Sequence, residues 1–289
     1  SPGGLMSDAE VFGNLGKDRN AMFVECINTV LKIWDSEPPY NIEGQFWNIS
    51  VEKTMIPEIG QGFIMKPYQK PYPPIVGTAV APFSQGVTEM AKRGWGPISA
   101  NFLMPEWVKT HWPKYVEGRE AVGAKAHPSE WRVAKSIFVA DDEATAKRYA
   151  LQEGGPYHFY FKQLVRKLVN GGGRSNLFKT DQNMPDSELT PEYVTNRLVL
   201  AGTVNSVVDQ ILAFREQVGD FVADTVSAYV HAAAAQGYAE EWDLDKLWTA
   251  LKLVYPISFT PEDLIAEVGS KDALDVDYLE SKILEDAKQ

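Results

Sequence analysis

Cysteine is almost absent: Cys26 is the only one in 289 residues. A lone thiol excludes an internal disulfide framework and any metal site built on several cysteines. Histidine is scarce as well, and His111, His127, His158 and His231 share no metal-ligand spacing. No run of about 18 apolar residues occurs, so no membrane-spanning helix is expected. Cationic residues are in deficit, with 28 Lys and Arg against 39 Asp and Glu and a net charge of −11. Phosphate-backbone binding needs concentrated Lys and Arg, so nucleic acid is not an expected partner. The opening Ser1-Pro2-Gly3-Gly4-Leu5 lacks the basic and apolar segments of a secretory leader, and a cytoplasmic enzyme fits. Gly-x-Gly-x-x-Gly, Walker and Gly-x-Ser-x-Gly motifs are missing too. Rossmann dinucleotide binding, P-loop hydrolysis and esterase chemistry therefore lack support.

What is there is an ordinary globular composition, 44% hydrophobic and 23% charged, arranged as alternating helix-period and strand-like segments. That alternation predicts a parallel α/β fold. Phe23, Cys26, Ile27, Val30, Leu31 and Trp34 form an i, i+3, i+4 stripe that predicts an amphipathic helix over 18–34, with Cys26 buried. Residues 40–72 read as an excursion in which 45–49 and 62–65 pair as a hairpin. Strands are expected at 74–80, 96–103, 130–140 and 222–230. Helices are expected from Ser84 to Arg93, after Pro105 with a break near Pro113, and after Thr203. Asp141-Asp142-Glu143 places acids at a helix start. Residues 170–190 read as a long loop, either a functional lid or a disordered connector. Thr260-Pro261-Glu262-Asp263 is a helix cap opening the tail.

Four strands are too few for a (β/α)8 barrel, which takes about 250 residues and eight strands. Either the fold is a smaller open sheet or the sequence begins part-way through a barrel. Gly3-Gly4-Leu5, Asp8, Val11-Phe12-Gly13 and Arg19 resemble the turn after the fourth barrel strand of the bacterial luciferase-like flavin-dependent monooxygenases. Pro73-Pro74-Ile75-Val76 running into Ala81-Pro82-Phe83-Ser84, then Ala91 to Gly96, resembles that family's fifth strand and turn. Trp131-Arg132-Val133-Ala134 with Ile137 to Ala140 is similar to the seventh strand, and Ala201-Gly202-Thr203 with Val207 and Gln210 to the turn before the last helix. The pieces follow family order, and the limonene monooxygenase-like subgroup is the most similar.

The resemblance implies a (β/α)8 TIM barrel represented by its C-terminal part over residues 1–255, with insertions at 40–72 and 155–195 and a helical extension at 256–289. About 100 residues carrying the first strands would then lie outside the sequence. It also implies an FMN-dependent monooxygenase that takes reduced FMN from a separate flavin reductase and uses O2 on a small, apolar substrate, with a homodimer expected. The alternatives are a deazaflavin (F420)-dependent oxidoreductase on the same barrel and a non-catalytic flavin-binding protein.

For the cofactor the resemblance points to Gly3, Gly4, Arg19, Ala81, Phe83, Ser84, Gln85, Asn101 and Phe102. Ser84 and Gln85 open a helix after a strand, where N–H groups suit a phosphate, although Ser84 is equally an ordinary N-cap. Arg19 is either the family's phosphate arginine or a surface residue. Asn101 and Phe102 end a strand, facing the flavin ring or substrate, or packing the core. Gly3 and Gly4 allow close backbone approach or simply turn the chain. No catalytic residue is assigned; His158, in an aromatic cluster, and His231, after the last expected strand, are the weak candidates.

Overall fold

The computed structural model describes residues 3–221, 260–269 and Lys282. It forms two compact units, Ser1–Ile75 and Val76–Gln289.

In the first unit a short helix α1 (Met6–Val11) precedes α2 (Arg19–Asp35). Asp18 starts α2 by accepting the Ala21 N–H at 3.0 Å, satisfying a donor that has no partner inside the helix. The expected stripe is present, but no residue of α2 is buried. Cys26 is exposed, which corrects its expected burial. An apolar face becomes core only when a second layer covers it, and here Phe23, Cys26 and Trp47 line an open hollow of about 340 Å³.

The excursion does contain a hairpin, between β1 (Tyr40–Glu43) and β2 (Asn48–Val51), antiparallel with Tyr40 opposite Val51. Residues 62–65, expected as its second arm, form no strand. Phe63, Ile64 and Met65 are exposed, and a 3-10 turn at Pro57–Ile59 with a single Ile56–Gln61 bridge breaks the run. Lys66 Nζ donates to the Ile33 carbonyl at 2.6 Å and to the Tyr40 hydroxyl at 3.0 Å, fastening this stretch to α2 and β1.

The second unit repeats strand and helix. β3 (Val76–Ala79), β4 (Gly96–Ser99) and β5 (Arg132–Val133) form one parallel sheet; β6 (Ser136–Val139) and β7 (Val199–Gly202) form another. β5 and β6 lie on one continuous stretch interrupted at Ala134-Lys135, with β5 paired to β4 and β6 to β7. The single strand expected over 130–140 is therefore two. Between β3 and β4 runs α3 (Gln85–Lys92); between β4 and β5 run α4 (Pro105–Val108) and α5 (His111–Glu120). Pro113 sits in the first turn of α5, where its missing N–H breaks no helical bond, so the interruption falls just before it. Ala79, Val87, Ala91 and Tyr115 make the core joining β3, α3 and α5.

Between β6 and β7 the chain builds α6 (Glu143–Leu151), α7 (Pro156–Gly172) and α8 (Pro191–Leu198). Asp142 caps α6 through the Thr145 N–H at 2.8 Å. The expected loop at 170–190 begins inside α7 and is partly regular, with 3-10 turns at Ser175–Phe178 and Asp186–Glu188. β7 escapes the sequence reading because it follows α8 with no turn residue between them. After it comes α9 (Val204–Val218), capped by Thr203 and ended at Gly219. The strand expected at 222–230 lies outside the described residues. In the tail, α10 (Pro261–Val268) starts on a reciprocal capping box between Thr260 and Asp263. Among the described residues no helix is long and apolar enough to cross a membrane.

Candidate functional site

Parallel α/β folds present their sites where strands end and helices begin. At the end of β3 the chain turns through Ala81-Pro82-Phe83-Ser84 into α3. Phe83 has φ 52, the single positive value among the described non-glycine residues, and its ring is 62% exposed. A bulky residue there is strained and persists only where its surroundings hold it.

Two bonds hold it. The Phe83 N–H donates to Thr110 Oγ1 at 2.9 Å, while Thr110 Oγ1 donates to the Trp107 carbonyl at 2.6 Å. Two residues back along the turn, the Ala81 carbonyl accepts from His111 Nε2 at 2.9 Å. The other side of that ring, Nδ1, is 2.7 Å from Ser99 Oγ, and Ser99 Oγ accepts from Trp131 Nε1 at 2.9 Å. Ser99, His111 and Trp131 are all 0% exposed. Burial pushes the His111 pKa below its ordinary value, with the Ala81 carbonyl opposing more weakly. The ring is therefore neutral.

α3 opens beyond the turn. Ser84 occupies the N-cap position, but its hydroxyl makes no cap bond, so the ordinary-cap alternative is not what forms. Gln85 is the first helical residue, and the first N–H groups of a helix lack partners within it. A free hydroxyl beside such N–H groups is a donor set that fits a phosphate.

At the end of β4, Asn101 Nδ2 donates to Ser136 Oγ at 3.0 Å, and the Tyr160 hydroxyl donates to Asn101 Oδ1 at 3.3 Å. Phe102 packs against Phe178, ring centres 6.2 Å apart. Residues 174–190 thus cover this strand end, and they are fastened there. Trp107 Nε1 donates to the Asn176 carbonyl at 3.2 Å, and the Lys179 ammonium pairs with Asp186.

The structure brings Ala81, Phe83, Ser84, Gln85, Asn101 and Phe102 into the second unit. Gly3, Gly4 and Arg19 belong to the first. There Arg19 Nη1 donates to the Gly3 carbonyl at 3.2 Å and to the Leu5 carbonyl at 3.4 Å, bracing the opening turn. Gly3 has φ 79, a turn conformation, and Gly4 is exposed. His158 is buried, its Nε2 2.8 Å from Glu192 Oε1 and its Nδ1 accepting from the Gly154 N–H at 3.3 Å; it packs α7 onto α8. His231 lies outside the described residues. The sequence reading missed Ser99, Thr110, His111, Trp131, Ser136 and Tyr160. His111 was visible only as a histidine without metal spacing, because its partners lie 12 and 30 residues away.

A family model described as luciferase-like monooxygenase matches residues 2–220. Among solved structures, the oxygenating constituent of 3,6-diketocamphane monooxygenase from Pseudomonas putida, a type II Baeyer–Villiger monooxygenase in complex with FMN, is 22% identical. Its TM-score is 0.62, over 76% of this chain and 61% of that one. A monooxygenase from Streptomyces bottropensis is 19% identical with a TM-score of 0.53, over 76% and 58%. The protein translocase subunit SecA of Beutenbergia cavernae is 49% identical over 115 residues, which is 40% of this chain and 11% of that subunit. That of an Arthrobacter species is 44% identical over 119 residues, 41% and 12%. The chain spans about a tenth of these curated relatives and about three-fifths of the two solved monooxygenases. Its parallel βα order is that of part of a luciferase-like (β/α)8 barrel. With the family model covering residues 2–220 of 289, the chain belongs to the luciferase-like monooxygenase family.

Proposed function

We propose that the β3–α3 turn receives the phosphate of reduced FMN and that the complete protein oxygenates a small organic substrate with O2, its reduced flavin coming from a separate reductase. The observation that carries this reading is the start of α3: an uncapped Ser84 hydroxyl beside the Gln85 and Gly86 N–H groups, on a turn held from two sides. Bound reduced flavin would supply the electrons that activate O2. Ser84, Gln85 and Gly86 bind and orient the phosphate end. Asn101 and Phe102, at the end of the neighbouring strand, border the ring. Residues 174–190, through Phe178 on Phe102, keep water from that strand end.

The test is an anaerobic titration with reduced FMN, and with F420 in parallel, on the protein and on Ser84→Asp. A carboxylate against a phosphate is repulsive, and affinity should fall by on the order of tenfold or more. Equal affinity in the variant would remove the phosphate from this turn. Binding of F420 in preference to FMN would favour a hydride-transferring oxidoreductase. Binding of FMN with no oxygen uptake, when a reductase and candidate substrates are supplied, would favour a flavin-holding role.

The likeness to SecA is of another kind, and its share of those subunits is too small to bring translocation to this chain.

A further inference from the structure

The turn that carries Phe83 is strained, yet it is not held by its own sequence. Its anchors are Thr110 and His111, consecutive residues at the junction of α4 and α5, reaching the turn at Phe83 N–H and at Ala81 C=O.

The direction of every hydrogen bond behind His111 is determined. The Ala81 carbonyl can only accept, so His111 Nε2 carries the proton. An indole N–H can only donate, so Ser99 Oγ accepts from Trp131. Nδ1 of the neutral ring is then an acceptor, and the Ser99 hydroxyl must donate to it. The chain of hydrogen bonds runs from Trp131 through Ser99 and His111 to the Ala81 carbonyl, its final acceptor, across four segments of the second unit, with each of its three side chains shut off from water. Each member fixes the next: Trp131 orients the hydroxyl, the hydroxyl selects the tautomer, and the tautomer aims an N–H at the turn.

A buried relay of this kind has a plain structural use, which is to satisfy polar groups inside a core. The relay here does more, because it ends on a backbone carbonyl two residues before one at φ 52. Strain of that sort persists where the surroundings over-determine it, and Thr110 with His111 supply two independent constraints within three residues.

We propose that Ser99, His111 and Thr110 are positioning residues for the cofactor site: they hold the 81–84 turn so that Ser84 and the first N–H groups of α3 converge on the flavin phosphate. The proposal rests on the flavin reading given above for its ligand, but not for its geometry. None of the three touches the reacting atoms; they act through the turn.

The experiment compares the full chain with Ser99→Ala and Thr110→Val, and with the conservative Ser99→Thr and Thr110→Ser. Ser99→Ala removes the donor that selects the His111 tautomer. Thr110→Val removes the acceptor of the Phe83 N–H while keeping the side-chain shape. Two readouts are taken: affinity for reduced FMN, and amide exchange of residues 81–86 against that of β6 and β7. Both disruptive variants should bind FMN at least about tenfold more weakly and should speed exchange of 81–86 by a larger factor than that of β6 and β7. The conservative variants should restore both. Unchanged FMN affinity in the disruptive variants overturns the proposal, as does an exchange increase spread evenly over the unit, which would mark a merely structural relay. Should the unaltered protein bind no FMN at all, the flavin reading falls; selective loosening of 81–86 would still sustain the positioning role, and its absence would end that too.

Discussion

Gly44 leaves room for Glu25: a Cβ built on Gly44 would lie 2.3 Å from Glu25 Oε1 and 2.6 Å from the Trp47 carbonyl oxygen. The carboxylate enters the hairpin turn and accepts the N–H groups of Gln45, Phe46 and Trp47 at 2.8 to 3.2 Å. A residue of α2 thereby stands in for the hydrogen bonds that the turn cannot make with itself.

Gly44→Ala is expected to destabilise the first unit by about 1–3 kcal/mol, since backbone on one side cannot yield. Glu25→Gln should loosen the same hairpin. Desolvation raises the Glu25 pKa, but the three N–H donors together hold it below its ordinary value of 4.5. The stabilisation is therefore present above that value and is lost as pH falls through the lower folded value. Hairpin amide protection, taken relative to the intrinsic exchange rate at each pH, should fall from pH 6 to pH 3 in the natural chain and be flatter in Glu25→Gln.

Packing between α3 and α5 depends on Gly118, where a Cβ would meet the Thr88 carbonyl oxygen at 2.3 Å and the Ala91 Cβ at 2.6 Å. Gly118→Ala should cost about 1–3 kcal/mol in urea unfolding by pushing the helices apart. Because α3 begins at the candidate site, flavin affinity should weaken alongside. A variant as stable as the natural chain would mean that the helices separate freely.

Acid should act on the second unit through His111. Its folded pKa lies below the ordinary 6.5, so the unfolded chain takes up a proton that the folded one refuses. Stability from this group is complete above about pH 6.5 and declines as pH falls below it, until the folded ring itself protonates. Urea midpoints at pH 7.5 and pH 5 should differ more for the natural chain than for His111→Gln. Ser99→Ala should lose about 1–3 kcal/mol at neutral pH, because it leaves a buried indole N–H without an acceptor.

The 174–190 segment also contains an ion pair of its own, between Lys179 and Asp186. Lys179 is 8% exposed and pairs with Asp186, whose carboxyl is held below its usual pKa chiefly by the hydrogen bond from Lys179, with Ser175 second. Asp186→Asn leaves the buried ammonium without its counter-charge. Proteolytic cleavage between 174 and 190 should accelerate on the order of tenfold if opening of this segment governs cutting. An unchanged rate would show that Trp107 and Phe178 hold the cover by themselves.

Local signals were legible wherever a few neighbouring residues decide the outcome. Asp142, Thr203 and Thr260 cap helices expected to start beside them. Gly94 and Gly219 end helices with the positive φ that glycine adopts freely. Ala81, Phe83, Ser84, Gln85, Asn101 and Phe102 lie after strands and at a helix start as expected, because such boundaries are local signals. β7 was not legible, since a strand that follows a helix without a turn residue differs from the helix end only in what it pairs with. The length of α7 was hidden for a similar reason: its Gly171 and Gly172 read as loop residues, but they still close a helix whose earlier turns are packed against α6 and α8.

The sequence alone determined the class: alternating apolar patterns, the scarcity of cysteine and histidine, and ordered motifs lead to a parallel α/β chain of luciferase-like type, because secondary structure and binary pattern are set within a dozen residues. Tertiary structure alone decided which polar groups meet. Ser99, His111, Trp131 and Ala81 are separated by up to 50 residues, and nothing in their local sequence requires them to touch. They become partners because parallel pairing of β3, β4 and β5 stacks distant positions at the same level, and because a buried hydroxyl, imidazole and indole must then find their hydrogen bonds in one another.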